Sequence, residues 1–137
     1  MEQRMREMLL KMRDDIVSVG LPDWDKMIIH ATMDENNSGI GVYIHHLGEY
    51  KMVDVLAEEG IVDEGAFTMQ QFAMLDDFDA IFEMMDEEHV ERWNTLLVIF
   101  SPFEILELKY EKLCLDDPSE NVRRHKEVVK SVLGWDV

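Results

Sequence analysis

A chain of 137 residues with 47% apolar content can bury one real core. Its 30 acids against 13 bases give a net charge of −17, which argues against binding nucleic acid or an anionic membrane. The single cysteine, Cys114, excludes an intrachain disulfide and suits a reducing, cytoplasmic compartment. The longest apolar run, Leu96–Phe100, is far too short to cross a bilayer.

In chain order, Met5, Met8, Leu9, Met12, Ile16 and Val19 recur at steps of three and four. This predicts an amphipathic first helix, stopped by Gly20 and Pro22. The charged N-terminus carries no apolar segment with a cleavage site, so it is read as this helix and not as a signal peptide. Met27, Ile29, Ala31 and Met33 alternate, as do Ile40, Val42 and Ile44, on either side of the turn-rich Glu35–Gly39. That pattern predicts a hairpin. Gly48-Glu49 gives a second turn, Tyr50–Val55 a third strand, and Gly60–Gly65 an irregular connection.

Thr68 with Gln71 forms a capping-box pair that opens a second helix, fading near Glu88–Glu91. Phe72, Leu75, Phe78, Ile81, Phe82 and Met85 share its apolar face. Thr95–Phe100 reads as a buried strand, Ser101-Pro102 as a tight turn, and Phe103–Tyr110 as the hairpin partner. Asp117-Pro118-Ser119-Glu120 is a strong start for a last helix. Val122, Val128, Val129, Val132 and Leu133 form its apolar side, and Gly134 is its stop. The expected fold is a single α+β domain over residues 1–137, in the order α-β-β-β-α-β-β-α. An antiparallel sheet of about five strands packs against helices. Phe72, Leu75, Phe78, Phe82, Trp93, Leu97 and Ile99 should be largely buried.

The residues hold little chemistry. His45 and His46 are adjacent, so on a strand they point to opposite faces. A site pairing one of them with His30 and a carboxylate lacks any recognised ligand spacing. Cys114 reads as a small core residue, no serine lies in a Gly-x-Ser-x-Gly elbow, and there is no glycine-rich phosphate loop. No catalytic residue, metal site or cofactor is therefore assigned, and the chain is read as a binding protein and not an enzyme. The eleven methionines mostly fit flexible core packing, with a methionine-rich contact surface as the alternative.

The informative feature is charge. Residues 49–91 carry fourteen acids and one base, Lys51. Asp76, Asp79, Glu83 and Asp86 follow one another at steps of three and four, with Glu87 four beyond Glu83. They lie on one helical stripe, and no Lys or Arg occurs from Phe72 to Glu91. Each like-charged pair at that spacing destabilises a helix by about 0.2–0.5 kcal/mol. The stripe is either a solvated face or a docking surface for a basic partner. Glu58, Glu59, Asp63 and Glu64 are a second acidic candidate group.

Four stretches resemble the YezG-like immunity proteins, which neutralise secreted polymorphic toxins, typically nucleases. They are Leu21-Pro-Asp-Trp-Asp-Lys-Met-Ile-Ile-His-Ala31, Asn37-Ser-Gly-Ile-Gly-Val-Tyr-Ile44, Arg92-Trp-Asn-Thr-Leu-Leu-Val-Ile-Phe100 and Glu107-Leu-Lys-Tyr-Glu-Lys-Leu113. The chain departs from the family's pattern at Lys109 and Lys112, where acids are usual, and in a last helix carrying Arg123, Arg124, Lys126 and Lys130. The resemblance implies a cytoplasmic antitoxin without catalytic residues, whose partner is a basic toxin domain. Self-association into a homodimer stays open. The alternative is a class I type III secretion chaperone, which has a similar element order, dimerises through its second helix and holds an effector segment.

Overall fold

A computed structural model describes residues 2–32, 39–89 and 93–111, together with positions 123 and 127. The order of elements is α1 (Glu2–Val17), β1 (Lys26–Thr32), β2 (Gly39–His46), β3 (Glu49–Met52), α2 (Val53–Glu58), α3 (Glu64–Glu87), β4 (Thr95–Phe100) and β5 (Ile105–Glu111). The strands form one antiparallel sheet in the order β3-β2-β1-β4-β5. This is the α+β class with a five-stranded antiparallel sheet that the hydrophobic patterns predict. The last helix expected after Asp117 lies outside the described residues, as do the Glu35–Ser38 turn and Cys114. Arg123 and Glu127 are helical and form an ion pair one turn apart.

Alternation along the strands decides what faces the helices. Met27, Ile29 and Ala31 of β1, Val42 and Ile44 of β2, and Leu96, Val98 and Phe100 of β4 are buried. They share one cluster with Met5, Leu9, Met12 and Ile16 of α1 and with the apolar side of α3. The other sheet face carries a second cluster. Ile28 and Tyr43 are buried there, with Tyr50, Met52, Leu97 and Ile99 packed against them. β1 sits at the centre of the sheet and is buried on both faces from Met27 to Ala31. Gly41 makes room on that second face. A Cβ there would stand 3.1 Å from the Tyr43 ring.

β2 and β3 are joined by a two-residue turn. Leu47 and Gly48 both take positive φ, 50° and 80°, between the paired His46 and Glu49. Such turns match the twist of a hairpin but favour Asn or Gly at both positions. Leu47 is thus a local misfit and is exposed.

The expected third strand, Tyr50–Val55, is corrected. The ladder to β2 stops at Tyr43↔Met52, and Val53 begins α2. Val53, Leu56 and Ala57 are buried, at helical and not strand spacing. α2 closes with Gly60 at φ 78°; the Gly60 amide donates to the Ala57 carbonyl and the Ile61 amide to that of Leu56. This is a Schellman arrangement, so the segment read as irregular begins with a defined helix cap.

The start of the long helix is also corrected. α3 begins at Glu64, four residues before Thr68, because Asp63 caps it. Asp63 Oδ1 accepts from the Ala66 amide at 2.9 Å. Gly65, the end of the expected irregular connection, sits in the first turn of α3.

Candidate functional site

α3 turns its core side inward through Phe67, Met74, Phe78, Ile81, Phe82, Met84 and Met85. Phe78 and Phe82 bracket Trp93, with Phe78 edge-on at a ring separation of 6.1 Å and Phe82 at 5.0 Å. Three residues expected in the core are only half-buried: Leu75 on α3, and Leu97 and Ile99 on the second sheet face. Phe72 is a clear correction, at 65% exposed. From Phe72 a helical wheel reaches Asp76, Asp79, Glu83 and Asp86, the outward stripe, whereas the core runs Phe67, Met74, Phe78, Ile81, Met85. The two faces are half a turn out of phase, and Phe72 belongs to the outer one.

The outward face therefore reads Met69, Phe72, Asp76, Asp79, Glu83, Asp86, at steps of three and four. Every one of these side chains is exposed, as is Glu87. Met69 is 73% exposed. The strict spacing was visible in the sequence and could have identified Met69 and Phe72 as surface residues. Among the described residues the ion pairs lie within α1, between Asp25 just before β1 and His45 of β2, along β5 and at Arg123–Glu127. None engages Asp76, Asp79, Glu83 or Glu87. The last turn of α3 has no basic residue. Glu83, Asp86 and Glu87 thus crowd the negative end of the helix dipole.

The second candidate group is also exposed: Glu58 and Glu59 at the end of α2, Asp63 and Glu64 at the start of α3. Asp63 has a structural task as the cap. Two further acids differ from the stripe. Asp77 is half-buried against α1, and burial pushes its carboxyl pKa up while Lys11 opposes that shift. Asp54 on α2 is raised chiefly by burial, with Glu58 adding to it. It accepts from Gln71 of α3 at 3.3 Å.

The histidines stand apart. His30 faces Gly41 of β2, so His45 is four residues along that strand, about 13 Å away at the rise of an extended chain. His45 Nδ1 donates to Asp25 Oδ1 at 2.5 Å, and that hydrogen bond lowers the Asp25 pKa. His46 Nδ1 donates to the Asp23 carbonyl. Among the described residues no group of three or more His, Cys, Asp or Glu could hold a metal ion. Among those same residues no helix is long and apolar enough to cross a membrane.

Neither the known protein-family models nor the curated proteins contain a match to this chain.

Proposed function

We propose that the chain is an immunity protein that binds a cognate secreted toxin, a nuclease with a basic substrate surface, and neutralises it one-to-one through the outer face of α3. The observation that carries this reading is that face itself. It begins with one turn of exposed apolar side chains, Met69 and Phe72, and continues with Asp76, Asp79 and Glu83, which form no ion pair among the described residues. The anionic side chains would stand where the toxin holds phosphates, and Phe72 would anchor the rim of the contact. The likeness of four sequence stretches to YezG-like immunity proteins supports the same reading. It is a binding role, carried out in the cytoplasm without catalysis or cofactor.

The test is a titration with a basic nuclease-type toxin domain. Asp79→Lys with Glu83→Lys should weaken binding by several kcal/mol, because attraction becomes repulsion at contact distance. The fold should hold or gain slightly, since the new cations fall one turn from Asp76 and Glu87. The association rate of the parent should drop steeply with salt. A double variant that still protects against the toxin, or a salt-independent rate, would remove the stripe from the interface.

A further inference from the structure

The outer edge of β5 has a sequence that complements itself. Among the described residues β5 ends the sheet at the edge opposite β3, with no strand beside it. Leu106 and Tyr110 are 48% and 42% exposed there. Glu107 and Lys109 form an ion pair of 2.9 Å along the strand. Leu108 faces the main core, so Glu107 and Lys109 lie on the other side of the sheet.

We propose that β5 pairs with β5 of a second copy, antiparallel about a two-fold axis through Leu108, to give one continuous sheet across a homodimer. This register sets Glu107 opposite Lys109 of the partner subunit, and Lys109 opposite Glu107 of the partner subunit. Side chains facing each other across two strands must share a face, so the register changes only in steps that move the axis to a neighbouring residue. An axis through Glu107 stacks Glu107 on its own copy. An axis through Lys109 stacks Lys109 on its own copy and Glu107 on Glu111. An axis through Tyr110 also sets Lys109 opposite Glu111, but it pairs only residues 109–111 of β5 with themselves, whereas the Leu108 register brings unlike charges together along the full strand. The excess negative charge of residues 49–91 belongs to β3, α2 and α3. A register shift between Ile99 and Phe100 places one extra residue, Leu106, in β5. Such a bulge bends an edge and shortens the ladder a second copy can extend, so the association is weak and concentration-dependent. The surface is independent of the α3 stripe, so the toxin reading can fail without affecting this one.

The experiment is sedimentation of the full chain from low micromolar to millimolar concentration. The parent should move from its monomer mass of 16.1 kDa towards twice that value. Lys109→Glu alone, or Glu107→Lys alone, turns both symmetry-related attractions into repulsions and should weaken association roughly tenfold. Glu107→Lys combined with Lys109→Glu restores unlike charges in the same register and should restore the dimer. Thermal melts check that each variant is folded. A parent that remains monomeric throughout overturns the proposal. So does a dimer indifferent to the single substitutions, or a double variant that stays dissociated.

Discussion

Phe72 and Phe78 lie on the same helix, less than two turns apart, and truncating each to Ala should give opposite results. Phe78 is fully buried and meets Trp93 edge-on. Phe78→Ala removes the ring's transfer free energy, leaves a cavity and loses that contact, at a cost of about 4 kcal/mol. For a domain of this length each kcal/mol moves Tm by about 3–5 °C, so the variant should melt roughly 12–20 °C lower. Phe72 is 65% exposed. Its truncation removes little buried area, and Ala is the better helix former, so stability should change by less than about 0.5 kcal/mol in either direction. Circular dichroism melts and urea titrations of both variants read the difference. Titration with the toxin reads the other half: Phe72→Ala should lose affinity while the melt stays put. A Phe72→Ala loss comparable to that of Phe78→Ala would mean that the outer face of α3 is covered in the protein, and would refute the assignment of this face to a partner.

Three smaller tests address single contacts. Asp63→Ala should destabilise the fold by about 1 kcal/mol through loss of the α3 cap, with Asp63→Ser recovering most of it, measured by urea unfolding. Leu47→Asn should raise stability by about 0.5–1 kcal/mol, since Asn tolerates the positive φ of the β2–β3 turn; no gain in Tm would argue that the turn adopts another form. The Asp25–His45 hydrogen bond lowers the Asp25 pKa, so its contribution is present above the ordinary carboxylate range and is lost as pH falls through the folded value. His45→Ala should flatten that acid limb in a pH series of melts, and an unchanged limb would dismiss the bond.

What was legible in the sequence was periodicity backed by many residues. α1, the β1–β2 pair and β4 follow alternation or three-four spacing, and their bounds agree closely with expectation. The misses have local causes. Val53 and Val55 favour a strand by residue type, but Val53, Leu56 and Ala57 bury at helical spacing and make α2. Thr68–Gln71 resembles a cap, yet Asp63 makes the bond that opens the helix. Phe72 has the residue type of the core, although its phase matches the acids and not Phe78. The positions of the acidic stripe were legible because its spacing is strict. The apolar beginning of that surface, Met69 and Phe72, is less legible because residue type and helical phase disagree there.

That phase also separates the acids by task. α3 spans 24 residues with no basic side chain from Phe72 onward and none in its last turn. Its local interactions oppose helix formation at each like-charged turn and at the C-terminal end. Its helicity rests on packing, from Phe67 to Met85, and on the Asp63 cap. Asp63 and Asp77 have structural surroundings that account for them: a bond to the Ala66 amide in one case, α1 with Lys11 in the other. Asp76, Asp79, Glu83 and Glu87 have no such contact among the described residues. Solubility alone would be served by acids placed anywhere on the surface, or by acids interleaved with lysines at lower cost to the helix. Four acids on one face without an ion pair among the described residues, continuous with the exposed Met69 and Phe72, are the surface that the proposed docking of a basic partner would use.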